Sequence, residues 1–379
     1  MLLVSFLKGG NKMANKNKFK LVKVILFALI IIVCATLYFK NFSNNKGLRV
    51  IEWDNIYNDN NITLFYQDIE EKPNSIKKLD SVYSVSKIVN NNKSELEKVL
   101  QTVDILKSII EYDDVDSSVA KDGYAILEEK GGNKKVSDRD MAIIERDILL
   151  AAGFVARVGE FRKEVPQFQK NPSYYVVEYW SKENNKWIMV DFKDKGYLEK
   201  GGVKLSSIEV LGEKLKDLTY IGNSSQNDYR KKISKYLSSY TVAIDNTISM
   251  KKSNSYLTYC SSEKDIDMKI ENDYFPSTIF TTEKTLFTLS PSTKANGKDS
   301  STYIILMRKP MESSNSYVYV IGAFENGSTI KNYYLRINDG KMKKIDRYEE
   351  VELVEGTNKI ELSKDGVNIL KRIVVERDK

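Results

Sequence analysis

The chain has 379 residues, 41% hydrophobic and 29% charged, with a formal net charge of +7. This length and balance fit two medium folded domains or one large one and exclude a disordered chain. There is no histidine, and the only cysteines are Cys34 and Cys260. Nucleophilic catalysis of the Ser-His or Cys-His kind is therefore excluded, as is a zinc site of the usual Cys/His kind.

Residues 1–40 hold seven lysines and no acidic residue, so residues 41–379 are neutral overall. That removes the electrostatic case for a nucleic-acid partner. Gly9 and Gly10 precede Met13 at the spacing of a translated ribosome-binding sequence, and Met13 is the expected start. N-terminal sequencing checks this. Residues 24–39 are an apolar run, extended upstream by Leu21 and Val22. At 1.5 Å per residue it just spans a bilayer core of about 30 Å. The lysines on its N-terminal side place the N-terminus in the cytoplasm and residues 41–379 outside. A cleaved signal peptide is the competing reading, but no A-x-A-like site follows the run. Cys34, inside the run, has no route to Cys260, so no disulfide is expected in the outer part.

Five segments are expected. They are a basic cytoplasmic segment (1–20), a transmembrane helix (21–39), a linker with short strands (40–78), an α+β domain (79–240) and an all-β sandwich (241–379). Within the linker, residues 51–53 and 62–66 read as strands that pack on the domain that follows. Ser94 and Glu97 form a capping box, and apolar residues at helical spacing continue to Ile110. Asp113, Asp114 and Asp116 read as a solvated loop. Ser137 and Asp140 form a second capping box. Met141, Ile144, Ile148, Ala151 and Ala152 make one helix face, and Gly153 sits at the left-handed cap position. Residues 174–179 and 187–191 form a hairpin around Glu183-Asn184-Asn185-Lys186. Residues 204–216 and 228–240 read as helices. From about residue 241, strand-like runs alternate with polar turns: 256–259, 278–288, 303–307, 317–323, 331–337, 350–353, 359–362 and 369–375.

The ordered set over residues 125–211 resembles the transglutaminase-like superfamily, with its papain-like α+β fold. Gly153-Phe154-Val155-Ala156-Arg157 is similar to that family's Gly-Ile-Pro-Ala-Arg corner. The strand from Tyr174 to Trp180, with Glu178, is similar to its His-x-x-x-Glu strand. Trp187-Ile188-Met189-Val190-Asp191 is similar to its Trp-x-x-x-Asp strand. The resemblance implies a Cys-His-Asp triad. Four residues before Ala142, the nucleophile position holds Asp138. Four before Glu178, the base position holds Tyr174. Only Asp191 is kept.

A carboxylate at a helix N-terminus is stabilised as the anion and is a poor acyl acceptor. A tyrosine, with a reference pKa of about 10, is no base at neutral pH. The triad positions Asp138, Tyr174 and Asp191 therefore imply a pseudoenzyme with no catalytic residue, no cofactor and no metal. Asp191, lacking an imidazole to orient, is expected to bond the Tyr174 hydroxyl. Arg157 is expected to pair with a buried carbonyl or carboxylate. The expected role is binding or assembly at a bacterial cell surface, with a wall peptide, glycan or membrane-protein partner. The alternative is a rewired enzyme acting on amide bonds, through Asp138 as nucleophile or Ser137 with a carboxylate base.

Overall fold

The computed structural model describes residues 48–89, 93–163, 172–262, 266, 277–294, 297–309 and 317–377. The expected anchor, the Met13 start and Cys34 lie outside the described residues. In chain order the main elements begin with strand β1 (Leu48–Asp54). Helices α1 (Asn74–Tyr83), α2 (Glu95–Ile109), α3 (Gly123–Lys130) and α4 (Asp138–Ala151) follow. Next come strands β2 (Ala156–Arg162), β3 (Ser173–Ser181) and β4 (Lys186–Val190), then helices α5 (Ser207–Gly212) and α6 (Gln226–Ile233). Strands β5 (Ser239–Ala243), β6 (Tyr256–Cys260) and β7 (Thr278–Thr281) complete the first part. The protein is of mixed α+β class.

Helix α4 is the axis of this part. Its first backbone donors are met by the Ser137 hydroxyl, which accepts from the Asp140 N–H at 3.2 Å. Asp138 and Asp140 add negative charge at the positive end of the helix dipole. The helix stops at Gly153, which takes φ +90°. There the Phe154 N–H donates to Leu149 O and the Gly153 N–H to Leu150 O, the paired bonds of a Schellman closure. Ile144 and Ile148 pack with Leu106 and Ile126 on one side and with Val177, Tyr179 and Ile188 of the sheet on the other.

A helix covered on nearly every side buries its polar residues too, and each carboxylate fixes a neighbour. Asp140 accepts the Ser118 N–H at 2.9 Å, Glu145 the Thr102 hydroxyl at 2.8 Å, and Asp147 the Gly123 N–H at 2.6 Å. The expected reciprocal capping box at α4 is therefore not made, because the Asp140 carboxylate is turned to Ser118. The box at α2 is made in both directions. Gly123 is required by close approach: a Cβ there would lie 2.9 Å from the Ile144 Cα.

Behind α4 lies a six-stranded sheet in the order β7-β6-β5-β2-β3-β4. Every neighbouring pair is antiparallel except β6 and β7. Strands β8 (Tyr303–Arg308), β9 (Val318–Glu325), β10 (Tyr333–Ile337), β11 (Lys343–Ile345), β12 (Tyr348–Glu352), β13 (Gly356–Ser363) and β14 (Lys371–Arg377) follow. They make two antiparallel layers, β1-β14-β13-β10-β11 and β8-β9-β12. Leu335, Ile360 and Ile373 of the first layer share a core with Ile304, Ile321 and Val351 of the second.

Several boundaries differ from the sequence reading. The division expected between residues 240 and 241 falls inside β5, which pairs with β2. Strands β6 and β7 also belong to the central sheet, and Cys260 and Phe280 reach from them into the sandwich core. Residues 48–377 accordingly form one compact unit. Strand β1 pairs with the last strand, Leu48 opposite Arg377, and its Trp53 ring packs edge-on against Phe280 of β7 at 5.5 Å. The helices expected at 204–216 and 228–240 shorten to α5 and α6. A two-residue period reports a half-buried strand but not which strand it joins. Among the described residues, no helix is long and apolar enough to cross a membrane.

Glu145 gives a pH signature. Burial raises its pKa from the ordinary 4.5 to about 8, against a smaller lowering by the Thr102 hydroxyl. Between those values the folded chain holds one proton more than the unfolded chain. Stability thus falls as pH rises, by up to about 1.4 kcal/mol per unit, and this contribution is lost once pH passes the folded value. Glu145→Gln should remove the slope, so that denaturant unfolding shows the variant gaining on the parent from about pH 5 to about pH 9. A stability difference independent of pH would contradict it.

Candidate functional site

The corner after α4 delivers Arg157 into the sheet. In the β2-β3 register Arg157 stands directly opposite Glu178, and both side chains are fully buried. The Arg157 Nε donates to Glu178 Oε2 at 2.7 Å. Its other nitrogens donate to Phe287 O at 2.7 Å and to the Tyr66 hydroxyl at 3.1 Å. Its guanidinium lies 4.1 Å from the centre of the Trp187 ring. Glu178 in turn accepts the Ser207 N–H at the start of α5 and the Tyr240 hydroxyl of β5. Burial works against the Arg157 charge, but Glu178 together with Tyr66 and Tyr240 outweighs it, and the guanidinium pKa lies above its ordinary value. Arg157 thus has the structural pairing expected of it.

Farther along β3 lie the positions of interest. Asp138 opens α4, Tyr174 is near the start of β3, and Asp191 directly follows β4. The Tyr174 hydroxyl donates to Asp191 Oδ2, the bond expected in place of an imidazole. Asp191 Oδ1 accepts the backbone N–H groups of Lys193 and Asp194 at 3.0 and 3.1 Å. This turn folds Lys193 back over the site. Its Nζ lies 2.8 Å from Asp138 Oδ2 and 3.9 Å from the centre of the Tyr174 ring. Lys232 of α6 approaches from the other side, with Nζ 3.7 Å from Asp191 Oδ2. The three positions are thus gathered into one cluster, but Asp138 reaches the other two only through Lys193.

The cluster is filled. Tyr174 is 4% exposed and Asp191 0%. Tyr174 stands opposite Phe161, which is buried and packs on Tyr240 with ring centres 5.1 Å apart. The Tyr236 ring covers Tyr174 at 5.3 Å. Burial, then the Asp191 carboxylate, raise the Tyr174 pKa far above its ordinary value, so the phenol is a donor and not a base. The Ser137 hydroxyl is occupied by the Asp140 N–H and by Ser117 Oγ at 2.8 Å. Among the described residues, no group of three or more metal-binding side chains converges.

Sequence reasoning missed Lys193 and Lys232. The available signal for Lys193 was local. An aspartate that accepts backbone N–H groups two and three residues on makes an Asx turn, which brings residue 193 back toward residue 191. Lys232 had no such signal, because only the packing of α6 brings it to the site.

No protein-family model matches the chain, and no curated protein matches it. Among solved structures it is similar to a candidate cysteine protease from Cytophaga hutchinsonii. The TM-score is 0.25 and the identity 14%, over 42% of this chain and 50% of that one. A candidate protease from Parabacteroides distasonis gives a TM-score of 0.23 and 10% identity, over 79% and 58%. The chain thus spans between half and three-fifths of the length of these two proteins. At such overlap the chemistry of the site is read from its own residues.

Tyr174→Phe removes a donor from the buried Asp191 and should destabilise the chain by about 1–3 kcal/mol. Denaturant unfolding measures this. An unchanged unfolding midpoint would show that the bond contributes nothing.

Proposed function

We propose that this protein is a membrane-anchored, extracytoplasmic member of the transglutaminase-like class, with a C-terminal sandwich of immunoglobulin-like type. It has lost catalysis and acts in binding or assembly at the cell surface, with a wall peptide, a glycan or a protein as partner. The sequence order of corner, glutamate strand and aspartate strand supports the class. The apolar run at residues 24–39, with its lysine flank, supports the anchor.

One observation carries the loss of catalysis: the Lys193 ammonium lies between Asp138 and Tyr174. Acyl transfer needs an electron-rich nucleophile beside a base. Here the nucleophile position holds a carboxylate neutralised by an ammonium, and the base position holds a protonated phenol. The rewired alternative fares no better on these contacts. Attack by Asp138 would have to break its ion pair with Lys193, and the Ser137 hydroxyl is engaged with Ser117 Oγ and the Asp140 N–H, while the Asp140 carboxylate beside it also accepts the Ser118 N–H.

Two measurements test this reading. The full chain should show no turnover in amidase, protease and amine-crosslinking assays, and Asp138→Ala should not change that. Turnover abolished by Asp138→Ala would overturn the proposal. Protease treatment of intact cells should digest residues 41–379, and their protection until the membrane is opened would contradict the topology.

A further inference from the structure

The other end of α4 carries a concave surface that the reading above does not use. A cavity of about 430 Å³ opens beside the Gly153 corner, lined by Lys72, Glu95, Lys98, Phe154, Trp180 and Lys182, with residues 151–155 as its floor. That volume is in the range of small-molecule sites. The polar groups of its floor are already arranged. The Schellman bonds occupy the carbonyls of Leu149 and Leu150, and the Lys72 Nζ donates to Ala151 O at 2.7 Å. The Glu95 carboxylate accepts the Ser181 hydroxyl at 2.6 Å and the Lys182 and Glu183 N–H groups at 3.1 and 3.3 Å. Lys98 and Lys182 take no part in an ion pair among the described residues.

Three ammonium groups thus line the cavity with the Glu95 carboxylate, which is occupied by these bonds, and the Glu183 carboxylate accepts the Glu95 N–H at 3.2 Å beside it. Two half-buried aromatic residues also line the cavity, Phe154, whose ring meets Tyr179 edge-on at 5.7 Å, and Trp180, whose ring meets Trp187 edge-on at 5.5 Å. An aromatic face next to polar groups suits a pyranose-like ring, which has apolar C–H faces and hydroxyl edges. Unpaired ammonium groups suit an anion on the same molecule.

We propose that this cavity binds a sugar-sized ring bearing an anionic group, phosphate or carboxylate, set beside Phe154 and Trp180 and held by Lys98 and Lys182. The site lies apart from Asp138 and stands whether or not catalysis is lost.

Trp180 makes the test direct, because Trp53 and Trp187 are buried. The full chain is titrated with glucose 6-phosphate, glucuronate and glucose while tryptophan emission is followed. At least one charged sugar should give a saturable change that weakens as salt is added, with glucose at least about tenfold weaker. The tighter of the two charged sugars identifies the anion. Lys98→Glu with Lys182→Glu should weaken binding at least about tenfold by calorimetry, with thermal unfolding unchanged. Three outcomes would overturn the proposal: no saturable change with either charged sugar, glucose binding equally well, or full affinity in the double variant.

Discussion

The buried pair Arg157–Glu178 is the constraint on which the other parts of the fold converge. Neither side chain touches solvent, so every donor and acceptor they carry must be met inside the protein. Meeting them draws together five separate pieces of chain. Tyr66 and Phe287 take the remaining Arg157 donors, Trp187 covers the guanidinium face, and Ser207 and Tyr240 donate to Glu178. These residues belong to the linker, strand β4, the start of α5, strand β5 and the turn that follows β7. A division of the chain after residue 240 would cut through this network, which is a physical reason why residues 48–377 form one unit.

The same economy explains the cluster at the start of α4. Here each group is consumed by its neighbour. Tyr174 gives its proton to a bond with Asp191, and Asp138 is neutralised by Lys193, which also rests on the Tyr174 ring. The aromatic row Tyr174, Phe161, Tyr240 and Tyr259 runs in register across four strands and fills the space beneath. A tyrosine at position 174 suits this packing, since it offers both a large apolar ring and one donor.

Much of the local structure was legible in the sequence. The capping box at Ser94, the helix running to Gly153 and the hairpin around Asn185 follow from short-range rules, and the structure reproduces them. So does the Tyr174–Asp191 contact, which followed from asking what a retained aspartate would bond without an imidazole. Tertiary choices were not legible. Residues 239 and 240 read as the tail of a helix, and pairing with β2 makes them part of a strand. Strand β1 closes the far sandwich because the chain returns to it after more than 300 residues, a distance over which periodicity carries no information. Asp140 and Glu145 are buried in a helix whose sequence looks exposed on that side, because α1, α2 and α3 cover it.

The most direct measurement is a double-mutant cycle on the central pair, using Arg157→Ala, Glu178→Ala and the combined variant of the full chain, read by denaturant unfolding. Each single change leaves a buried charge uncompensated and should cost about 3–5 kcal/mol. The double variant should cost far less than the sum, with a coupling energy of at least about 2 kcal/mol. Additive effects would show that the two residues do not act as one buried unit and would contradict the account.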